Sequence, residues 1–196
     1  MGNVTNLRNS PRSGAFWSEL APAEHSVQIY RDESSFMDSL EGYAGSGLRA
    51  GDAVIVIATA GHLHELEQRL RGSWIDLDRA RWEDRYVALL AQETLSRFMV
   101  DGMPDETRFK QVATDVLARA RGKGRKVRAF GEMVATLWAE GNQDAAISLE
   151  QMWNRLQAVE QFPLFCAYPR SHFKLNAAAS IESVCAAHSR VIPGYV

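Results

Sequence analysis

Short apolar runs alternate along the chain with longer stretches in which apolar residues recur every three or four positions. The first pattern is typical of buried strands and the second of one face of a helix. The runs predict strands at residues 27–30, 53–58, 86–90, 127–130 and 164–168. Strands that alternate with helices in this way indicate an α/β fold with a mostly parallel sheet. The run at 53–58 is apolar throughout, which predicts a central strand covered by helices on both faces.

The helical stretches have recognisable starts. One covers residues 33–48 and the next about residues 61–71. A third runs through Ala120 and has Pro104 near its start, where the missing N–H costs little. A helix at 133–140 is followed by a long helix for which Asn142 is the predicted N-cap. The last predicted helix is short and covers residues 181–188.

The segment RDESS at 31–35 joins the first predicted strand to the first helix. In a nucleotide-binding α/β domain, a glycine-rich loop with a lysine would stand here and hold phosphate. This segment has neither residue type, and it places the carboxylates of Asp32 and Glu33 where phosphate would bind. Carboxylates satisfy the helix dipole and repel a second anion. The segment therefore favours a sensor or binding domain over a working ATPase.

A second informative segment is VRAFGEM at 127–133, in which a strand ends and Glu132 opens the next helix. Ligands of open α/β sheets bind beyond the C-terminal ends of the strands, so Glu132 is a candidate binding residue. The alternative is a glutamate that only stabilises the helix dipole. Residues near the other strand ends and two tryptophans complete the set. The predicted ligand-binding residues are His25, Tyr30, Arg31, Thr59, His62, Glu93, Phe130, Glu132, Trp138, Trp153 and Tyr168.

Each of these candidates has a plainer alternative. Residues at strand ends often serve only as surface or capping residues, and Trp138 and Trp153 either wall an apolar pocket or simply fill the core. His25 is the weakest candidate, because it begins its strand instead of following it.

Metal and cofactor motifs are not recognisable in the sequence. His62 and His64 are two positions apart, and side chains at that spacing diverge on a helix. No Cys/His cluster has the spacing of zinc ligands, and Cys166 stands within an apolar strand, as a core residue would. We therefore expect no metal, no cofactor and no catalytic residue. The basic run at 119–128 contains glycines and no aromatic residue, so we interpret it as a solvated turn and not as a nucleic-acid surface.

Composition excludes several classes. The 196 residues, 46% hydrophobic and 23% charged, suit one globular domain. A net charge of −2 gives no general attraction to nucleic acid or anionic lipid. No apolar run has the length of a membrane span, and the two cysteines fit reduced thiols of a cytoplasmic protein. Residues 1–12 lack the apolar core of a signal peptide, and we expect residues 1–24 to form a flexible tail.

A set of seven segments, in order, makes the chain recognisable. They are HxxQxYxD at 25–32, GLxxGDAVIVIAT at 47–59, TLxxFMxDG at 94–102, RAFGEM at 128–133, LWxxGN at 137–142, LExxWN at 149–154 and FCAYP at 165–169. Each segment alone is weak, but the ordered set closely resembles the MEDS family, the methanogen/methylotroph sensory domain of a dichloromethane-responsive repressor. The resemblance covers about residues 25–193.

The resemblance implies a RecA/KaiC-like three-layer core that lacks the phosphate-binding loop. It also implies a sensory role with a small, hydrocarbon-derived ligand. Larger members carry the domain beside histidine-kinase, DNA-binding or anti-sigma-type modules. Residues 1–24 are too few for a helix-turn-helix and nothing follows Val196, so we expect a stand-alone domain with residues 25–176 as the sensory part and residues 177–196 as a C-terminal helix and tail.

Two hypotheses of function result. The first is a non-enzymatic, cytoplasmic sensory domain that binds a small molecule at the C-terminal edge of its sheet. It would signal through a histidine kinase, a response regulator, an anti-sigma-type protein or a second copy of itself, with no direct contact to nucleic acid or membrane. The second is a degenerate ATPase-like interaction module without a small-molecule ligand. A closed pocket of roughly 300 Å³ or more beneath Glu132 would favour the first.

The C-terminal helix bears on the output of such a domain. Its apolar residues Ile181, Val184 and Cys185 fall on a narrow stripe. This stripe either packs on a partner or folds back on its own domain.

Overall fold

A parallel sheet runs through the computed structural model, which describes residue 17 and residues 20–122, 124–173 and 177–193. Its strands, with a separate two-stranded hairpin, are β1 (His25–Tyr30), β2 (Ala53–Ala58), β3 (Tyr86–Leu90), β4 (Met99–Val100), β5 (Met103–Pro104), β6 (Val127–Gly131), β7 (Leu164–Pro169) and β8 (Arg190–Ile192). The sheet has the order β3-β2-β6-β7-β1-β8, and all of its neighbouring strands are parallel. The antiparallel hairpin is β4-β5. The predicted α/β fold is therefore confirmed.

The helices of the described ranges are α1 (Glu33–Ala50), α2 (Ala60–Gly72), α3 (Leu77–Trp82), α4 (Ala91–Ser96), α5 (Glu106–Arg121), α6 (Met133–Ala139), α7 (Gln143–Glu160) and α8 (Ala177–Ala186), with a 3₁₀ turn at Arg170–His172. Asn142 caps α7 as predicted, because its Oδ1 accepts a hydrogen bond from the N–H of Ala145 at 3.2 Å. Among the described helices, none combines the length and the apolarity that a bilayer span requires.

The helices lie on both faces of the sheet, which gives three layers. Val54 and Val56 of β2 pack into a core that includes α1, α2 and α3. Ile55 and Ile57, which alternate with them, pack into the opposite core with α4, α5, α6, α7 and α8. Every side chain of β2 is buried, so the predicted central strand with two covered faces is confirmed. Because all neighbouring strands of this sheet are parallel, their C-terminal ends lie along one edge.

The C-terminal segment belongs to the same core. β8 pairs in parallel with β1, with Ser26 opposite Arg190 and Gln28 opposite Ile192. Val184 of α8 is buried and Ile181 packs against the same apolar core. The predicted boundary at 176/177 therefore does not separate two packing units. Of the alternatives for the apolar stripe of α8, its packing favours folding back on its own domain.

Trp17 requires a correction to the predicted flexible tail. Its ring is 2% exposed and lies 5.1 Å, centre to centre, from the rings of both Tyr43 and Phe165. Its carbonyl oxygen also accepts a hydrogen bond from Nη1 of Arg128 at 3.1 Å. At this position the segment is anchored because a large aromatic side chain is buried. Residues 1–16 and 18–19 of the predicted tail lie outside the described residues.

The basic run at 119–128 also differs from a solvated turn. Arg119 and Arg121 form ion pairs with Asp84 and Glu160. Arg128 is 6% exposed, and its Nη2 donates to Oδ2 of Asp52 at 2.6 Å. The interpretation as a solvated turn is wrong at Arg128, because this guanidinium holds α1 to the sheet from inside. Lys123 lies outside the described residues.

Candidate functional site

Glu132 lies at the C-terminal edge of the sheet, between β6 and α6. Its side chain does not cap α6 and is almost fully buried. One carboxylate oxygen, Oε2, accepts a hydrogen bond from the backbone N–H of Thr59 at 2.8 Å. The backbone N–H of Glu132 donates to the carbonyl of Ile57 at 2.9 Å. Glu132 therefore binds the end of the neighbouring strand β2 instead of serving only the helix that it precedes.

His62 joins Glu132 to the start of α1. Its Nδ1 bonds Oε1 of Glu132, and its Nε2 bonds Oε1 of Glu33, with both contacts close. Burial disfavours the charged imidazole, but the hydrogen bonds and charges of Glu132 and Glu33 outweigh it and raise the pKa of His62 to about 9. At neutral pH the imidazole is therefore protonated and donates to both carboxylates.

An aromatic group lies beside this polar chain. Phe36 stacks on Tyr30 with ring centres 4.6 Å apart, and its ring lies 5.1 Å from that of His62 and 5.8 Å from that of Phe130. Burial raises the pKa of the Tyr30 hydroxyl, and the carboxylates of Glu33 and Glu132 raise it further. We call this group the Glu132 site, and its members are Tyr30, Glu33, Phe36, Thr59, His62, Phe130 and Glu132.

The Glu132 site contains five of the predicted residues, because the ends of β1, β2 and β6 lie on one edge. Glu33 and Phe36 are additions to that set. In the sequence, Glu33 was interpreted only as a carboxylate that would repel phosphate. Phe36 was interpreted only as part of the apolar face of a helix. Two other predicted residues, Arg31 and Glu93, are exposed. No hydrogen bond or ion pair within the described ranges connects their side chains to Glu132.

The two predicted tryptophans lie on the other face of the sheet. Trp138 packs against Phe173 with ring centres 5.4 Å apart, and Trp153 meets Phe109 edge-on at 4.9 Å. Trp153 also lines an apolar cavity between the sheet and α4, α5 and α7. The lining residues are Ile55, Ile57, Thr94, Phe98, Phe109, Val112, Ala113, Val116, Leu117, Ala129, Met133 and Trp153.

The volume of this apolar cavity limits what it holds. It measures about 20 Å³, little more than the space for one water molecule. That is far below the roughly 300 Å³ of an ordinary ligand pocket. Met133 lines the cavity but the carboxylate of Glu132, the preceding residue, does not. This cavity is therefore too small for an ordinary ligand, and no member of the Glu132 site lines it.

His25 and Tyr168 belong to a second polar group, on the face opposite Tyr30. Oδ1 of Asn154 lies 2.7 Å from Nδ1 of His25, and the hydroxyl of Tyr168 donates to Oε1 of Glu150. Four side chains, His25, Glu150, Cys166 and His188, each offer one metal-ligating atom, and these atoms lie within 4.8 Å of one another. All four are buried, and we call them the His25 cluster.

Burial shifts the pKa values of three groups in the His25 cluster. Burial lowers the pKa of His25 to about 3, the nearby His188 contributes, and the hydrogen bond to Asn154 opposes the shift only in part. Burial raises the pKa of the Glu150 carboxyl, which His188 and Tyr168 oppose. Burial also raises the pKa of the Cys166 thiol, with Glu150 adding to the effect. Imidazole, thiol and carboxyl groups together are ligands that transition metals take.

Sequence reasoning missed this cluster because its members are far apart along the chain. Metal sites are recognised in a sequence by short spacings, and no such spacing connects His25, Glu150, Cys166 and His188. A histidine at the start of a strand next to the cysteine-bearing strand was the available signal, but using it requires the strand order.

Comparison with known families adds to this geometry. The model of one family, described as the methanogen/methylotroph, DcmR sensory domain (MEDS), matches residues 24–189. That range includes the Glu132 site and all members of the His25 cluster. No curated protein shows a significant match to the chain.

Proposed function

The chain belongs to the MEDS family of sensory domains, and we propose that it senses a small molecule at the Glu132 site in a prokaryotic signalling or transcription-control pathway. The ligand has a small apolar body, as a hydrocarbon derivative does, and one hydrogen-bonding group. The domain is not an enzyme, and it passes its signal to another protein. Family membership supports the sensory role, and the geometry of the Glu132 site supports the location.

The protonated His62 between two carboxylates is the observation that carries this proposal. Glu132 is buried, whereas the side chain of Glu33 is 55% exposed. The bond to Glu33 is therefore the one that an incoming polar group displaces more easily. The rings of Tyr30 and Phe36 lie next to the position that Glu33 would leave, and they suit the apolar part of the ligand.

Displacement of Glu33 also gives a route for the signal. Glu33 is the first residue of α1, and His62 lies on α2. A ligand that takes the place of Glu33 on His62 removes one connection between these helices. The start of α1 then becomes free to move relative to α2. A partner protein that binds the surface formed by these two helices would respond to this change in position.

The start of α1 supports the non-enzymatic part of the proposal. Oδ2 of Asp32 accepts a hydrogen bond from the N–H of Ser35 at 2.8 Å and caps the helix. Glu33 is paired with His62. Two carboxylates thus stand at the helix N-terminus that a nucleotide-binding protein keeps for phosphate. We expect no heat of binding when Mg-ATP is titrated into the protein in a calorimeter.

The proposal places the protein in the cytoplasm, where unpaired thiols stay reduced. Cys166 and Cys185 are both unpaired. By analogy with larger family members, the partner is a histidine kinase, a response regulator, an anti-sigma-type protein or a second copy of the chain. The proposal includes no direct contact with nucleic acid or membrane.

A ligand panel observed by NMR tests the proposal. Short alcohols, halomethanes and short carboxylic acids are added one at a time to labelled protein, and saturable shifts of Thr59, His62 and Glu132 signals are expected for at least one of them. Glu132→Gln removes the charge that holds His62 and should abolish the response. Glu140→Gln, at an exposed glutamate directly after the last residue of α6, is the matched control and should leave it intact.

The rival function is an interaction module with no small-molecule ligand. A preformed pocket of ligand size beneath Glu132 would have contradicted it, whereas the apolar cavity lined by the next residue, Met133, measures only about 20 Å³. This rival predicts no saturable response to any compound of the panel. A response that survives Glu132→Gln would instead contradict the Glu132 site as the place of binding.

A further inference from the structure

The His25 cluster contains buried polar atoms without hydrogen bonds. Oε2 of Glu150 and Nε2 of His188 are shielded from solvent, and neither has a hydrogen-bond partner among the described residues. The side chain of His188 is fully buried. Buried polar atoms are nearly always paired, because leaving them unpaired costs free energy. Glu150 and His188 each offer a ligand atom that lies within 4.8 Å of those of His25 and Cys166.

In both histidines of the His25 cluster, Nδ1 is hydrogen-bonded to a group outside the cluster. These bonds determine that Nε2 is the nitrogen available to a metal ion. Nδ1 of His188 lies 2.7 Å from the carbonyl of Val184, which only accepts, so this nitrogen carries the proton. Nδ1 of His25 lies 2.7 Å from Oδ1 of Asn154. The amide of Asn154 is oriented by its Nδ2, which donates to the carbonyl of Ala187. Each histidine thus directs the lone pair of Nε2 into the cluster, as metal-ligating histidines do.

The separations of the candidate ligand atoms suit a four-coordinate ion. Tetrahedral zinc, with bond lengths of roughly 2.0–2.3 Å, holds its ligand atoms about 3.3–3.8 Å apart. Nε2 of His25 lies 3.4 Å from Sγ of Cys166 and 3.8 Å from Oε2 of Glu150. Nε2 of His188 lies 3.5 Å from Oε1 of Glu150. One ligand atom from each of the four side chains lies within 4.8 Å of the others, so the side chains would have to move closer together to complete a tetrahedron.

We propose that His25, Glu150, Cys166 and His188 form a closed binding site for a divalent transition-metal ion of the zinc class. Two imidazoles, a thiol that becomes a thiolate and one carboxylate form a ligand set that suits zinc. Calcium and magnesium are disfavoured, because they take oxygen ligands. The site lies on the face of the sheet opposite Tyr30, and it is independent of the ligand proposed for the Glu132 site.

The ion would have a structural role. All four positions of a tetrahedron are taken by protein atoms in a buried site, which leaves no open position for a substrate. The ligands come from β1, α7, β7 and the connection between α8 and β8. Binding would therefore fasten the C-terminal segment to the centre of the fold, and loss of the ion would loosen it.

Cobalt is the probe for this site, because Co²⁺ occupies zinc sites and reports its ligands by absorption. The full chain is produced in medium supplemented with Co²⁺, and in parallel with Zn²⁺. We expect about one ion per chain by elemental mass spectrometry, with visible bands of tetrahedral cobalt and a near-ultraviolet sulfur-to-cobalt band. Protein without bound metal from both cultures would overturn the proposal and leave a buried network of polar side chains as the account of the cluster.

The two cysteines supply a matched pair of variants. Cys166→Ala should lose the sulfur-to-cobalt band, whereas Cys185→Ala should keep it, because Cys185 is outside the cluster. A band that persists in Cys166→Ala, or disappears in Cys185→Ala, would contradict the proposed ligand set. If Cys166→Ala does not fold, X-ray absorption spectroscopy of the cobalt-loaded protein with the natural sequence shows whether sulfur is among the ligands of the ion. One sulfur with nitrogen or oxygen neighbours is expected, and a shell without sulfur would overturn the assignment.

Asn154 is a positioning residue for this site, and its variant separates metal binding from general stability. Asn154→Ala removes the hydrogen bond that orients His25 without removing a ligand. We expect the sulfur-to-cobalt band to remain and the metal affinity to fall by about 10- to 100-fold. Unchanged affinity would show that the orientation of His25 does not serve a metal.

Discussion

His62 binds Glu132 through a hydrogen bond between Nδ1 and Oε1, which places a cation beside a carboxylate that is only 5% exposed. A buried carboxylate is costly unless it is paired, and the pairing here crosses from α2 to the junction of β6 and α6. The bond therefore couples two elements whose ends lie at the C-terminal edge of the sheet. Its strength should depend on the charge of the imidazole.

The first prediction concerns pH. The pKa of His62 is raised from 6.5 to about 9 in the folded protein, so its pairing stabilises the fold fully below about pH 6.5 and is lost as the pH rises through 9. After solvent screening is allowed for, the contribution is about 1–2 kcal/mol. Denaturant unfolding of the natural sequence and of His62→Gln between pH 6 and 10 checks this. The difference between them should shrink over that range, and a constant difference would contradict it.

A second prediction concerns Gly47 on α1. A Cβ atom at this position would lie 2.5 Å from Nε of Arg128. Arg128 cannot move away easily, because it is buried and bound to Asp52. Gly47→Ala should therefore reduce the free energy of unfolding by about 1–3 kcal/mol. Gly72→Ala is the control, since nothing lies within 4 Å of its Cβ, and it should leave stability unchanged or slightly higher.

Chemical unfolding with urea distinguishes these outcomes. If Gly47→Ala is as stable as the natural sequence, the guanidinium of Arg128 has room to shift, and the close packing of α1 on the sheet is not decisive. A loss in Gly72→Ala of similar size would show that the effect comes from glycine replacement in general.

How much of the fold the sequence predicts depends on the length of each element. β2 was recognisable because every residue of Ala53–Ala58 is apolar, and α7 because Asn142 caps a long periodic stretch. β8 was missed, because its three residues include the exposed Val191 and give no periodic pattern. Its position is determined by backbone pairing to β1, which no local signal reveals.

Some residues of the candidate sites could likewise be predicted from the sequence, and others could not. Thr59, His62 and Glu132 were predicted together because they follow neighbouring parallel strands, and residues at such ends converge. His25 and Tyr30 were also grouped, but the alternation of side chains along β1 directs them to opposite faces. The His25 cluster depends on the order of β1 and β7 and on the return of the chain after α8. These are tertiary facts that periodicity does not contain.

A third prediction concerns Trp17. A buried tryptophan in contact with Tyr43 and Phe165 contributes to the core, so Trp17→Ala should cost about 3–5 kcal/mol of unfolding free energy. Trp82→Ala is the matched control, since Trp82 is 85% exposed, and its effect should stay within about 0.5 kcal/mol. Equal stability of the two variants would show that residue 17 belongs to a free tail, as composition alone suggests.

The last prediction concerns the C-terminal segment. Deleting all residues after 176 removes β8, which pairs with β1, and α8, whose Val184 is buried. The deletion exposes one edge of β1 and part of the apolar core. We expect a loss of at least ~1–2 kcal/mol, which lowers the melting temperature by several degrees in a domain of this size. Calorimetry or circular dichroism of the truncated protein measures the shift.

A point variant separates packing from the mere loss of chain. Val184→Ala should be destabilising, whereas Val191→Ala, at a side chain that is 51% exposed, should be nearly neutral because little apolar surface is lost from the core. If the truncated protein keeps its melting temperature but loses self-association or partner binding, the apolar stripe of α8 is an interface. Lower melting temperatures for both the deletion and Val184→Ala, with Val191→Ala unchanged, would establish the stripe as part of the core, since Val184 is buried and Val191 is exposed.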